Sequence, residues 1–180
     1  MITSIDSDWT LFLDRDGVIN ERNFDGYITD VKDFKFKKGS LEAIVGLRSI
    51  FSRIIIVTNQ QGVGKKIMSL RNVKAIHRYM EKEVESHGGK IDAILVATCL
   101  KSQTNNRRKP NPNMAIEAKE LFPEINFEKS IMVGDTDSDI KFGTNIGMKT
   151  VLIKSKEVIT EKADWEVNSL LEFYQKIKTV

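Results

Sequence analysis

Five short apolar runs, several of them too continuously apolar to leave one face toward solvent, place the strongest constraint on how this chain folds. They lie at residues 10–14, 53–59, 91–99, 130–135 and 149–154. Strands of this kind are covered on both faces, which is typical of a parallel sheet. Helix-forming segments separate them at 40–51, 69–88, 113–122 and 137–147. The alternation predicts an α/β fold, with a doubly wound, mostly parallel sheet between helices.

Length and composition predict a single domain over residues 1–180. The 180 residues include 41% hydrophobic and 29% charged residues, which is ordinary for a globular protein. The net charge of +3 permits a phosphorylated ligand but gives no indication of nucleic-acid binding. We expect a monomer with no nucleic-acid or membrane partner. Cytoplasmic location is predicted because Cys99 is the only cysteine and because neither a signal segment nor a membrane-spanning run is evident.

Acidic side chains follow two of the predicted strands. Asp14 and Asp16 come at the end of the first apolar run, and Asp135 ends the fourth. In doubly wound sheets, ligands bind beyond the carboxyl ends of the strands, so these carboxylates are expected to meet. They would repel one another unless a cation offset their charge, and Mg²⁺ prefers such oxygen ligands. Taken alone, an acidic pair of this spacing more often marks a simple turn before Gly17.

Candidate phosphate ligands follow the second strand and a later basic segment. The run "VTNQQG" provides the Thr58 hydroxyl, the Asn59 amide and free backbone N–H groups, which are donors suited to phosphate oxygens. Thr58 could instead satisfy a local turn. The run "NNRRKPNP" carries Arg108 and Lys109 just before a predicted helix start, although a basic run of this length is often a solvated face.

Four segments in this order, "LFLDRDGVIN", "VTNQ", "RRKPNP" and "VGDTDSD", resemble the motifs of the haloacid dehalogenase (HAD) superfamily of aspartate-nucleophile phosphatases. From about residue 11 to residue 172 the chain is similar to the branch that contains heptose bisphosphate phosphatases and histidinol-phosphatases. The resemblance implies a Rossmann-like HAD fold with a minimal flap and no large cap domain. The flap would come from residues 20–38, for which a short hairpin and a plain surface loop are both open.

The resemblance implies a phosphatase reaction through an aspartyl-phosphate intermediate. Asp14 would be the nucleophile and Asp16 the general acid and base. Mg²⁺ would be held by Asp14, Asp135 and the backbone carbonyl of Asp16.

The resemblance also implies a set of residues around the substrate. These are Phe24, Asp25, Gly26 and Tyr27 in the flap, and Thr58, Asn59, Gln60, Arg108 and Lys109 at the strand ends. Lys109 would neutralise the phosphoryl group, and Arg108 would reach a second phosphate on the substrate. Asp139 would orient Lys109 or a metal-bound water.

A structural zinc site found in many members of this branch is not expected here. Cys99 stands at the position of the first ligand, but Lys101 replaces the histidine, and Asn105 and Arg107 stand where later cysteines belong. Cys99 is therefore predicted to be a small buried hydrophobic residue.

Three functions are open from the sequence. Removal of the 7-phosphate of D-glycero-D-manno-heptose 1,7-bisphosphate, a small phosphorylated sugar, is the first choice, and histidinol phosphate is the alternative substrate. A phosphoacceptor receiver module would use similar residues without being an enzyme. His77 and His87 are interpreted as surface or packing residues away from the strand ends.

Overall fold

The computed structural model describes residues 5–104 and 106–178, and Asn105 lies outside them. The strands are β1 Thr10–Leu13, β2 Arg53–Asn59, β3 Ala93–Ala97, β4 Ser130–Gly134, β5 Lys149–Ile153 and β6 Trp165–Val167. The α-helices are α1 Ser40–Arg48, α2 Gln61–Gly64, α3 Leu70–Ser86, α4 Asn113–Leu121, α5 Asp137–Thr144 and α6 Leu170–Ile177. Two 3₁₀ turns span Val31–Asp33 and Phe127–Lys129.

The six strands form one sheet in the order β3-β2-β1-β4-β5-β6, and every neighbouring pair is parallel. The predicted doubly wound α/β fold is therefore confirmed. After β1 the chain builds outward through β2 and β3, and it then returns to the other side of β1 for β4 to β6. The strand order reverses at β1 and β4, the position at which such sheets bind ligands.

Helices cover both faces of the sheet because the inner strands are apolar on both sides. On one face Leu11, Ile54 and Val133 belong to a core that also includes buried residues of α1, α3 and α6. On the other face Phe12 and Met132 pack with buried residues of α4 and α5. The alternation of side chains along each strand divides the apolar residues between these two cores.

The segment between β1 and α1 is a loop attached to the main core. The hairpin interpretation of residues 20–38 is wrong for the described chain, since the segment holds only isolated bridges of Asn20 with Asp16 and Phe36, and one 3₁₀ turn. Phe34 is buried, and its ring lies 5.0 Å from that of Phe36 and 5.9 Å from that of Tyr79 on α3. This aromatic contact anchors the loop. None of the helices in the described part of the chain has the length and apolar content needed to cross a membrane.

Candidate active site

Three carboxylates meet at the carboxyl edge of the sheet. Asp14 and Asp135 directly follow β1 and β4, and the Asp14 backbone N–H donates to the carbonyl of Val133 at 2.9 Å. Asp139 lies in the first turn of α5. One carboxylate oxygen from each aspartate lies within 4.8 Å of the other two. Because β1 and β4 are parallel neighbours, residues far apart in the sequence are brought to one buried point.

Lys109 places a buried cation in this cluster. Its Nζ lies 2.7 Å from Asp14 Oδ1 and 2.6 Å from Asp139 Oδ1, and it donates to the Val57 carbonyl at 2.6 Å. Burial alone would lower the pKa of Lys109, but the charges of Asp139 and Asp14 outweigh burial and raise the pKa above its usual value. The ammonium therefore stays charged. The Lys109 backbone is held by the Asn59 amide, which accepts from its N–H at 3.0 Å and donates to its carbonyl at 3.3 Å. Asn59 therefore positions Lys109 here, and its predicted contact with phosphate stays a prediction.

The acidic cluster carries more negative charge than Lys109 can offset. Burial raises the pKa of Asp14 to about 6 even though Lys109 opposes the shift. Burial, Asp14 and Asp139 together raise the pKa of Asp135 to about 8. These carboxylates are hard oxygen donors, and the Arg22 guanidinium already lies against Asp135. The donor chemistry and the unbalanced charge both fit a divalent cation such as Mg²⁺.

The Asp16 side chain points to a different set of partners. Arg15 Nη2 lies 2.9 Å from both carboxylate oxygens, Asn20 Nδ2 donates at 2.9 Å and Gln60 Nε2 at 2.8 Å. Burial alone would raise the pKa of Asp16, but Arg15, Asn20 and Gln60 outweigh it and lower the pKa. The Asp16 carboxylate lies outside the three-carboxylate cluster, so its role as a metal ligand rests on its backbone carbonyl and stays a prediction.

Comparison with known proteins identifies the family. Residues 106–169 match the HAD-hydrolase-like protein family. A D-glycero-alpha-D-manno-heptose-1,7-bisphosphate 7-phosphatase of Mycobacterium bovis is 35% identical over 169 residues, which cover 92% of this chain and 89% of that protein. The chain belongs to the HAD phosphatases. A D-glycero-beta-D-manno-heptose-1,7-bisphosphate 7-phosphatase of Helicobacter pylori is 28% identical, over 93% of this chain and 96% of that protein.

A solved structure has the same fold as this HAD phosphatase. It is the D,D-heptose 1,7-bisphosphate phosphatase of B. bronchiseptica, complexed with magnesium and phosphate, and it matches with a TM-score of 0.86. The identity is 22%, and the match covers 95% of this chain and 98% of that chain. The Rossmann-like HAD fold is therefore shown.

A cavity of about 1030 Å³ opens above the strand ends of the phosphatase. Its walls include most of the predicted site residues: Asp14, Asp16, Phe24, Asp25, Gly26, Tyr27, Asn59, Gln60, Arg108 and Lys109. Thr58 is buried, and its hydroxyl accepts a hydrogen bond from Gln60 Nε2 at 2.9 Å. Because the same Gln60 nitrogen donates to Asp16, Thr58 contributes to holding Asp16, and its predicted contact with phosphate stays a prediction.

Another part of the cavity wall is formed by the flap and by the loop after β5. Arg22 Nη2 in the flap lies 3.1 Å from Glu157 Oε1, and the Arg22 guanidinium lies 5.6 Å from the centre of the half-exposed Phe24 ring. Asp137 holds the same loop by accepting from the N–H groups of Thr160 and Glu161 at 2.9 and 3.0 Å.

The segment that replaces the zinc loop is held by hydrogen bonds and an ion pair. The Lys101 N–H donates to Gln61 Oε1 at 2.8 Å, and Arg107 pairs with Glu117. Cys99 is partly buried against the second core, which is less burial than predicted. Asn105 lies outside the described residues.

Sequence reasoning missed three residues around the site. Arg22 and Glu157 lie in loops, where no periodicity indicates a contact. His77 is buried on α3, which confirms the packing interpretation, but it contacts Arg15 just after β1 and so does not lie away from the strand ends. Its spacing from Val73 and Met80, both on the buried face of α3, was a signal that could have found it.

Proposed function

We propose that this HAD phosphatase is a Mg²⁺-dependent phosphomonoesterase that removes the 7-phosphate of D-glycero-D-manno-heptose 1,7-bisphosphate. The observation that carries the proposal is the 35% identity to a relative of that name along 89% of its length. The chemistry is supported by Asp14, which lies on the cavity wall with Lys109 2.7 Å away. An anionic nucleophile next to a buried cation suits attack on a phosphoryl group.

In the first step an Asp14 carboxylate oxygen attacks phosphorus, and the bond from phosphorus to the sugar oxygen breaks. Asp16 gives its proton to the departing sugar oxygen, so the heptose 1-phosphate leaves with a neutral 7-hydroxyl group. Lys109 sets the orientation of Asp14 and offsets charge on the transferring group. Asp139 keeps Lys109 in place from the other side at 2.6 Å.

In the second step water attacks the phosphorus of the aspartyl phosphate and gives a proton to Asp16. Inorganic phosphate leaves, and Asp14 is regenerated as a carboxylate. Arg15, Asn20 and Gln60 lower the pKa of Asp16, and this favours the carboxylate form that accepts the proton. The negative charge of an arriving substrate phosphate raises that pKa toward the acid form needed for the first step.

The metal would be held by Asp14 and Asp135, with the Asp16 carbonyl as a third ligand. Bound Mg²⁺ reduces the repulsion between an anionic nucleophile and an anionic phosphate. Arg108 on the cavity wall is the proposed partner of the 1-phosphate, because a guanidinium matches phosphate with two parallel hydrogen bonds. The flap residues Phe24 to Tyr27 would contact the sugar.

Side-by-side kinetics test the substrate. Phosphate release should be compared for the alpha and beta anomers of the heptose bisphosphate, histidinol phosphate and a generic aryl phosphate, with and without Mg²⁺. We expect one heptose anomer to exceed the other substrates in kcat/KM by at least about 100-fold, and ³¹P NMR should show that the 1-phosphate remains. A higher kcat/KM for histidinol phosphate would instead assign the alternative substrate.

The variant Asp14→Asn tests the nucleophile. Its turnover should fall by roughly 10⁴-fold or more, as expected when a covalent nucleophile is removed, while circular dichroism shows an intact fold. Near-normal turnover would exclude Asp14 as the nucleophile. The single domain, the monomeric state and the cytoplasmic location stay predictions from the sequence.

A further inference from the structure

One contact at the edge of the acidic cluster is outside the reaction described above. Arg22 Nη1 donates to both carboxylate oxygens of Asp135, at 3.2 and 3.4 Å. The Asp135 side chain has no solvent exposure, whereas 29% of the Arg22 side chain is exposed. A flap residue that solvent can reach is therefore paired with the most enclosed carboxylate of the site.

Asp135 is the carboxylate that Lys109 leaves without a direct ion pair. Lys109 Nζ lies within 2.7 Å of an oxygen of Asp14 and of Asp139. The ion pair that the described residues give to Asp135 is the one with Arg22. Three clustered carboxylates thus share two cations, and Arg22 provides the second positive charge.

The Arg22 contact and a metal at Asp135 would compete for the same carboxylate. Mg²⁺ binds carboxylate oxygens at about 2.0–2.1 Å and requires near-octahedral surroundings. A guanidinium nitrogen shared by both Asp135 oxygens competes for the lone pairs that a metal would use, and its positive charge would repel the metal. Glu157 Oε1 lies 3.1 Å from the other terminal nitrogen of Arg22. This carboxylate can stay paired with Arg22 after the Arg22 guanidinium has left Asp135.

We propose that Arg22 is the counter-ion of Asp135 in the metal-free enzyme, and that Mg²⁺ must displace it to enter the site. The proposal rests on the Mg²⁺ site of the proposed function. Arg22 acts as a positioning residue: its Nη1 holds the Asp135 carboxylate through both oxygens, and metal binding includes the loss of this ion pair. The flap, which carries both Arg22 and Phe24, is thereby coupled to the occupancy of the metal site.

Isothermal titration of the full chain with MgCl₂ at constant ionic strength tests the exchange. Arg22→Gln should bind Mg²⁺ about tenfold more tightly than wild type, which is the size expected when one charge-assisted hydrogen bond is lost from the metal-free state. Arg71→Gln changes the same charge at an exposed position of α3 that does not line the cavity, so its affinity should equal that of wild type. Unchanged or weaker binding by Arg22→Gln would overturn the proposal.

A double-mutant cycle with Asp135 gives a second readout that does not depend on metal. Without Mg²⁺, Arg22→Gln should lower the melting temperature in the wild-type background and have little effect in Asp135→Asn. An equal effect in both backgrounds would overturn the pairing. If wild type and Asp135→Asn bind Mg²⁺ equally weakly, the proposed metal site itself is wrong. If wild type binds Mg²⁺ and Arg22→Gln binds it with the same affinity, the metal site stands and only the Arg22 proposal is wrong.

Discussion

The Nε2 atom of His77 lies 3.1 Å from Nη1 of Arg15, a residue 62 positions earlier in the chain. Arg15 has no solvent exposure, and its other terminal nitrogen donates to both oxygens of Asp16. A guanidinium can only donate, so Nε2 must accept and the imidazole is neutral. His77 therefore fixes the arginine that orients the proposed general acid.

We expect His77→Leu to lower kcat roughly tenfold, in the range found when outer-shell partners of a site are removed. His77→Gln, which can still accept from Arg15, should retain more activity. The variant His87→Gln, at an exposed histidine that follows the same helix, is the control and should match wild type. A steady-state pH profile that His77→Leu leaves unshifted would show that the contact does not act on Asp16.

The contribution of His77 to stability should decrease as the pH falls from about 6.5 toward 3. Burial and the charge of Arg15 lower the pKa of His77 from 6.5 to about 3. Between these values the unfolded chain binds a proton that the folded chain does not, so acid favours unfolding. Urea denaturation at several pH values should show the free energy of unfolding of wild type falling relative to that of His77→Gln over this interval. Parallel curves would show that His77 does not titrate on unfolding.

Lys109→Met should destabilise the protein by about 3–5 kcal/mol, because it leaves the buried carboxylates of Asp14 and Asp139 without their cation. Combining it with Asp139→Leu should recover part of that loss but none of the activity. Lys74→Met, at an exposed lysine of α3, provides the matched control. Urea denaturation measures all three variants, and a Lys109→Met curve equal to the control would contradict the ion-pair account.

Gly17→Ala should damage the site more than Gly88→Ala. Both glycines have positive φ values, 92° and 84°, so each substitution carries a similar backbone cost of about 1–2 kcal/mol. A Cβ at Gly17 would overlap the Asp135 carboxylate, whereas Gly88 has no heavy atom within 4 Å. Gly17→Ala should therefore bind Mg²⁺ more weakly than Gly88→Ala, because it displaces Asp135. Equal Mg²⁺ affinities of the two variants would contradict this displacement.

The sheet and the central site could be predicted because both follow from local patterns. Continuous apolar runs indicate buried parallel strands, and the edge shared by those strands brings Asp14 and Asp135 together without knowledge of any side-chain contact. The strand Trp165–Val167 and the helix Leu170–Ile177 were missed, the former because three residues are too short for a periodic signal. Ser169 caps that helix through the N–H of Glu172 at 3.1 Å, a signal that the sequence did contain.

The remaining site residues could not be predicted because their contacts depend on how loops cross the sheet edge. Arg22 contacts Asp135, which lies 113 positions later in the chain. It also contacts Glu157, which lies further along the chain still, and no repeating sequence pattern links either pair. The contact of Asn59 with the Lys109 backbone likewise arises only once both loops are in place. Such contacts depend on the tertiary fold and not on local propensity.

The position of β1 between β2 and β4 has a consequence for how the chain acquires its ligand sites. The residues that surround Asp14 come from both halves of the sequence, so a partly folded chain that contained only β1 to β3 would lack Asp135 and Asp139. A phosphate ester or divalent ion can then be recognised only after β4 has joined the sheet, a contact of high sequence separation that slows assembly. Ligands therefore select the completely assembled chain and resist its unfolding in proportion to their concentration.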